Sequence, residues 1–272
     1  MTGPDLGRGT RTRPSPLLAG STIADALKLL LSVSAQRGHA LSWPGWPRLA
    51  ALAGPLLPGR LVAVTGPPGV GTTAFVLALA EGAALDRAPV LVVSLSLDVE
   101  EVLARLLVPR LGNPSHALVL LGDVPAAQVS EAAEALARDC PALFVWAPGV
   151  DERTGVALSE RVRAVSQAGG DRAPLVIVDP VQSWESDSSD AHSWTRLRES
   201  LRQLARPRDG WPGACVVVAG QVPESGLDEG LRLVLRPSLD SGLTVDVTRN
   251  RLGGRGSVSF GLAPAAGRLW EE

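Results

Sequence analysis

Gly66, Gly71 and Thr73 occupy three of the fixed positions of the phosphate-binding pattern G-x-x-x-x-G-K-[ST]; where the pattern requires lysine the chain has Thr72. The loop Gly66, Pro67, Pro68, Gly69, Val70, Gly71, Thr72, Thr73 has glycines that let successive backbone N–H groups turn inward onto an anion. Such a loop takes the phosphates of ATP or ADP, with the Thr73 hydroxyl on Mg²⁺. A lysine ammonium ~4 Å from a phosphate is worth ~4 kcal/mol at an effective dielectric of ~20. A threonine hydroxyl donates one neutral hydrogen bond, worth about 1 kcal/mol net. The loop keeps its backbone donors and loses its charge, which predicts nucleotide binding with poor stabilisation of phosphoryl transfer. The competing reading is a turn that binds nothing, which a chain with 29 Gly and 22 Pro builds readily. Asp179 closes the apolar run LVIVD. At the C-terminal end of a strand beside a phosphate loop, such an aspartate holds the water shell of Mg²⁺. Its bland counterpart is an Asp at a strand-to-turn junction before Pro180.

These residues need a strand, a loop and a helix to position them, and the sequence supplies all three. Leu61–Thr65 is a short β-branched run, and from Thr72 onward Phe75, Val76, Leu79 and Ala80 recur at helical spacing. The helix N-terminus adds partial positive charge to the loop. Beyond it, strand-like runs at Val90–Leu95, Leu118–Leu121, Leu143–Trp146, Leu175–Asp179 and Ala214–Gly220 alternate with helical patterns. The helical patterns are Val99–Leu107, Ala126–Arg138, Gly155–Gln167 and Trp194–Arg206. Alternation of this kind predicts an α/β fold with a mainly parallel sheet covered on both faces. Leu231–Arg236, Leu243–Arg249 and Ser257–Leu262 follow one another with turns only, which predicts antiparallel C-terminal strands. Residues 1–20 read as a disordered arm and residues 21–40 as an amphipathic helix over Ser21–Gln36; residues 41–272 form the phosphate-loop domain.

Composition narrows the partners. The net charge is −2, so no global basic field draws in nucleic acid. All but one of the 26 basic residues are arginine, yet a bias from Lys toward Arg does not produce Thr72. Cys140 and Cys215 have no metal-ligand or disulfide spacing, which fits a reducing cytoplasm. There is no apolar run long enough for a membrane span, and Asp25 and Lys28 break any N-terminal leader pattern. His39, His116 and His192 are scattered without ligand spacing.

In order along the chain, the segments resemble the RecA-like ATPase domain of DnaB-type replicative helicases, with the RadA and KaiC families as near relatives. Gly45, Trp46, Leu49, Gly54, Leu57, Gly59 and Arg60 echo the family's lead-in, and Ser94–Glu101 echoes its S-L-E-M-S-x-E-Q strand end. Val178, Asp179, Pro180, Val181 and Gln182 echo I-D-Y-L-Q, and Gly220 with Gln221 echoes the S-Q sensor. Arg249, Asn250, Arg251, Gly253, Gly256 and Val258 echo the closing K-x-R-N-G-x-x-G-x-V stretch. The resemblance implies a RecA-like P-loop fold, ATP or ADP with Mg²⁺, and assembly as a homo-oligomeric ring or filament, or as a hetero-oligomer with an active ATPase. It implies a sensor at Gln221 and a trans-acting finger at Arg249 and Arg251, and it places the Ser21–Gln36 helix where the family links its subunits.

The departures from the family matter equally. The glutamate that polarises the attacking water is replaced by Ser96, which at its ordinary pKa accepts no proton; under another alignment Asp98 or Glu100 serves. The family's DNA-facing loops correspond to Ser183–Ser193, with Glu185, Asp187 and Asp190, and to Val222–Gly230, with Glu224, Asp228 and Glu229; neither holds a cation, so both should repel DNA. Two functions follow. One is a divergent module that hydrolyses ATP weakly or not at all and acts through assembly. The other is an active ATP-dependent DNA helicase or repair ATPase.

Overall fold

The computed structural model describes residues 40–41, 43–112, 114–184, 192–208, 210–222, 227, 229–238, 242–263 and 268–272. The arm at 1–20, the helix over Ser21–Gln36 and most of the two acidic loops lie outside these residues. In chain order the elements are α1 (Pro47–Ala53), β1 (Leu61–Thr65), α2 (Thr72–Leu85), β2 (Val90–Ser94), α3 (Val99–Leu107), α4 (His116–Leu120), α5 (Ala126–Asp139) and β3 (Leu143–Trp146). There follow α6 (Gly155–Ala168), β4 (Leu175–Asp179), α7 (His192–Ala205), β5 (Cys215–Ala219), β6 (Leu231–Pro237), β7 (Leu243–Asn250), β8 (Gly256–Ala263) and β9 (Arg268–Glu271).

The strands form one nine-stranded sheet in the order β3-β2-β4-β5-β1-β6-β7-β8-β9. Pairing is parallel from β3 through β6 and antiparallel from β6 to β9. Burial explains why the two halves read differently. In β1, β2, β4 and β5 successive residues alternate between two cores: Val62, Val64, Val90, Val92 and Ile177 face one, while Ala63, Leu91, Val93, Val176 and Val178 face the other. Both faces are covered, so these strands are continuous apolar runs. In β6 and β7 only Leu231, Leu233, Leu235, Leu243, Val245 and Val247 are fully buried, alternating with partly exposed residues. One face is covered there, so the sequence alternates.

Two departures from the sequence reading stand out. Leu118–Leu121, expected as a strand, is the short helix α4 and its C-cap; Ser115 Oγ accepts from the Ala117 N–H and starts the helix, and the sheet takes no strand there. Inside the connector before β1 lies α1, which begins at Pro47 and buries Leu49 and Ala53. Its N-terminus is capped from the far end of the chain: the Glu271 carboxylate on β9 accepts from the N–H groups of Arg48 and Leu49 at 2.8 and 2.7 Å. Among the described residues no helix is long and apolar enough to cross a membrane.

Candidate functional site

The phosphate loop bridges β1 and α2 at the C-terminal edge of the parallel strands. Gly66 has no room for a side chain: a Cβ there would lie 2.7 Å from Val70 Cγ1 and 2.9 Å from the Leu235 carbonyl. Gly71 is left-handed, with φ 101°, and forms the N-cap of α2. Pro67, Pro68 and Gly69 are exposed and Val70 is buried, with the Val70 N–H donating to the Pro67 carbonyl at 3.2 Å. The loop is thus folded back on itself at the positive end of a 14-residue helix. Thr72 and Thr73 open that helix and are both partly exposed.

Asp179 ends β4, two strands from β1, and is 7% exposed. Burial pushes the Asp179 carboxyl above its usual range, while the Thr73 hydroxyl and the Arg105 guanidinium on α3 pull the other way. A hydroxyl and a carboxylate meeting at the mouth of an anion-binding loop form an all-oxygen donor set that suits Mg²⁺ held against phosphates. With the exposed turn Pro67–Gly69 at the N-terminus of α2 beside them, these residues fit a nucleotide and its metal. Among the described residues no cluster of three His, Cys, Asp or Glu offers a protein-only metal cage.

Around this centre the sequence-derived residues divide. Ser94 pairs with Asp179 in the sheet, and its hydroxyl donates to the Leu97 carbonyl at 2.6 Å, turning the chain out of β2. Ser96 therefore stands exposed just past the strand end. Asp98 is the N-cap of α3, and its N–H donates to the Glu101 carboxylate at 3.1 Å. Glu100 lies exposed on the first turn of the same helix. Gln221 follows β5 on the loop side of the sheet, its N–H donating to Gln182 Oε1 at 2.9 Å. Gly220 leaves space for that side chain, since a Cβ there would lie 2.3 Å from Gln182 Oε1. Gln182 thereby joins the segment after Asp179 to the sensor turn, a role the motif echo named no residue for. Arg105 had no sequence signal at all.

Arg249 and Arg251 are not in this site. β6 runs parallel to β1 and β7 antiparallel to it, so Leu243 lies near Gly71 while Asn250 lies at the other end of the sheet. Arg249 is four residues along β7 from Val245, the partner of the Leu235 that packs on Gly66, and six from Leu243, about 14–20 Å at ~3.4 Å per residue. Arg249 is 48% exposed and pairs with Glu229 at 3.2 Å. Glu229, one of the acids of the second loop, is 1% exposed and also pairs with Arg232 at 2.8 Å. A buried carboxylate requires such partners, and here it has two. The Arg251 N–H donates to the Gly230 carbonyl at 2.9 Å.

Residues 44–223 match the family profile described as "DnaB-like helicase C terminal domain". The match spans the loop, Asp179, Gln182 and Gln221, and stops before Arg249. No curated protein sequence matches the chain. Among solved structures, one described as an ATPase domain is similar with a TM-score of 0.72 at 14% identity, over 93% of this chain and 99% of that one. Another, a DnaB-like replicative helicase described with its interactions with primase, has a TM-score of 0.69 at 16% identity, over 92% of this chain and 67% of that one.

Proposed function

The chain belongs to the DnaB-like helicase C-terminal domain family, and from that premise we propose a nucleotide-binding P-loop subunit that works in an oligomer and hydrolyses ATP slowly. One observation carries this reading. Thr73 and Asp179 face each other beside the loop, as a Mg²⁺ site needs, while Thr72 and Ser96 stand where the resembled family has its cation and its base. The backbone of Gly66–Gly71 would hold the β- and γ-phosphates, and Thr73 with Asp179 would hold Mg²⁺, which when bound neutralises phosphate charge. Gln182 holds the Gln221 turn toward the same edge of the sheet. Arg249 and Arg251 are too far from their own loop to serve it, which favours service to a neighbouring copy's phosphates.

ATP turnover with and without single-stranded DNA tests the proposal, beside a Thr72→Lys, Ser96→Glu double variant. The expected result is turnover well below ~1 s⁻¹ in the unchanged protein and a gain of at least tenfold in the double variant. Turnover of the unchanged protein within the ordinary enzyme range, stimulated by DNA, makes it a working helicase-type motor instead.

A further inference from the structure

Resting on the trans reading of Arg249 and Arg251, we propose that Arg60 and Asn250 are a positioning pair that sets the direction in which those two arginines leave the sheet. Asn250 is the last residue of β7 and lies between them. Its Nδ2 donates to the carbonyls of Leu52 at 2.9 Å, Ala53 at 3.3 Å and Gly254 at 3.0 Å. Its Oδ1 accepts from the Leu252 N–H at 3.0 Å and from Arg60 Nη2 at 2.8 Å. One amide side chain thus ties the strand end, its own turn and the last residues of α1 into one unit. Arg60 is 4% exposed and completes the unit, with Nη1 donating to Pro55 and Nη2 to Ala53, at 2.6 and 3.0 Å. Its charge lies on the negative end of α1. The turn is seated closely: a Cβ on Gly253 would lie 2.7 Å from Asn250 Nδ2 and 2.8 Å from the Leu52 carbonyl.

The arrangement carries a cost beside its gain. A buried guanidinium is desolvated, and Arg60 Nε has no partner among the described residues. An apolar residue would escape both penalties but leave the Pro55 and Ala53 carbonyls and Asn250 Oδ1 without this donor. The forked geometry fixes where a strand end points, and neither lysine nor serine reproduces it. The pair sits at the edge of the sheet remote from the phosphate loop, so it acts on the turn and not on the chain's own nucleotide.

The test measures affinities of the assembled chain for MANT-ATP and MANT-ADP, with melting temperatures, for Arg60→Lys, Asn250→Asp and the Arg249→Ala, Arg251→Ala double variant. The proposal expects the ATP-to-ADP preference to fall three- to tenfold in all three, with MANT-ADP affinity and cooperative melting kept. Mixing Arg60→Lys subunits with Asp179→Asn subunits, whose arginines are intact, should restore the preference. If the double variant keeps the preference, or the unchanged chain binds neither nucleotide, the reading of the site falls and takes the pair with it. A fall in the double variant with neither Arg60→Lys nor Asn250→Asp following overturns the pair alone. So does loss of cooperative melting in both, or a defect that mixing leaves uncorrected.

Discussion

Asp179 shows, at the residue scale, a conflict between the metal role proposed for it and holding a fold. Burial raises its carboxyl pKa, so the native state binds this proton more tightly than the unfolded chain does. Its contribution is therefore favourable below the ordinary carboxyl range and is lost as pH rises through the raised native value. Near neutral pH the ionised group costs stability. Asp179→Asn should accordingly melt higher at pH 7, by about 1 kcal/mol or ~2–4 °C, with the difference shrinking as pH falls. The same variant should lose Mg²⁺-dependent nucleotide affinity, and in the unchanged protein that affinity should drop as acid protonates Asp179. Parallel thermal melts and MANT-nucleotide titrations across pH check both signs. Thr73 and Asp179 stood out in the sequence because each belongs to a short local motif. Arg60–Asn250 did not, since its partners are 190 positions apart and neither residue type announces a buried bond. The burial of Glu229 was hidden for a related reason: a carboxylate in a polar stretch gives no sign that two arginines of the following hairpin will enclose it.

At the scale of elements, the phosphate-loop helix carries a glycine that helix propensity alone disfavours. Gly82 sits inside α2, where replacing glycine with alanine ordinarily gains ~0.5–1 kcal/mol. Here a Cβ would fall 1.8 Å from Pro44 Cβ and 2.4 Å from its Cγ, and a proline ring has little freedom to withdraw. Gly82→Ala should therefore destabilise, by roughly 1–3 kcal/mol in denaturant unfolding. Unchanged or raised stability would mean that the lead-in does not bear on this helix. The other end of the lead-in is held by Glu271, and Glu271→Ala should cost about 1 kcal/mol, read in the same unfolding curves. Long strands and helices were legible because their periodicity spans several turns or both faces of a sheet. α1, α4 and β9 are four to seven residues long, too short for periodicity to speak, and their partners alone decide them.

Across the whole molecule, sheet order is what separates one subunit's chemistry into two places. Parallel pairing of β1 with β6 and β5 gathers Gly66–Thr73, Asp179 and Gln221 at one edge. The single reversal into β7 carries Arg249 and Arg251 to the opposite edge. An arginine side chain is shorter than the ~14–20 Å that separates Arg249 from the loop along β7. Under the proposed trans role, a lone subunit lacks part of its own site and a neighbour facing the same way would supply it, through a heterologous contact that closes a ring or extends a filament. Turnover per subunit, however slow, should therefore rise with protein concentration and level off once assembly is complete. In the Arg249→Ala, Arg251→Ala variant it should stay flat at the dilute value while sedimentation still reports assembly. A turnover per subunit that is independent of concentration across the assembly transition would place every working group of this site within one chain.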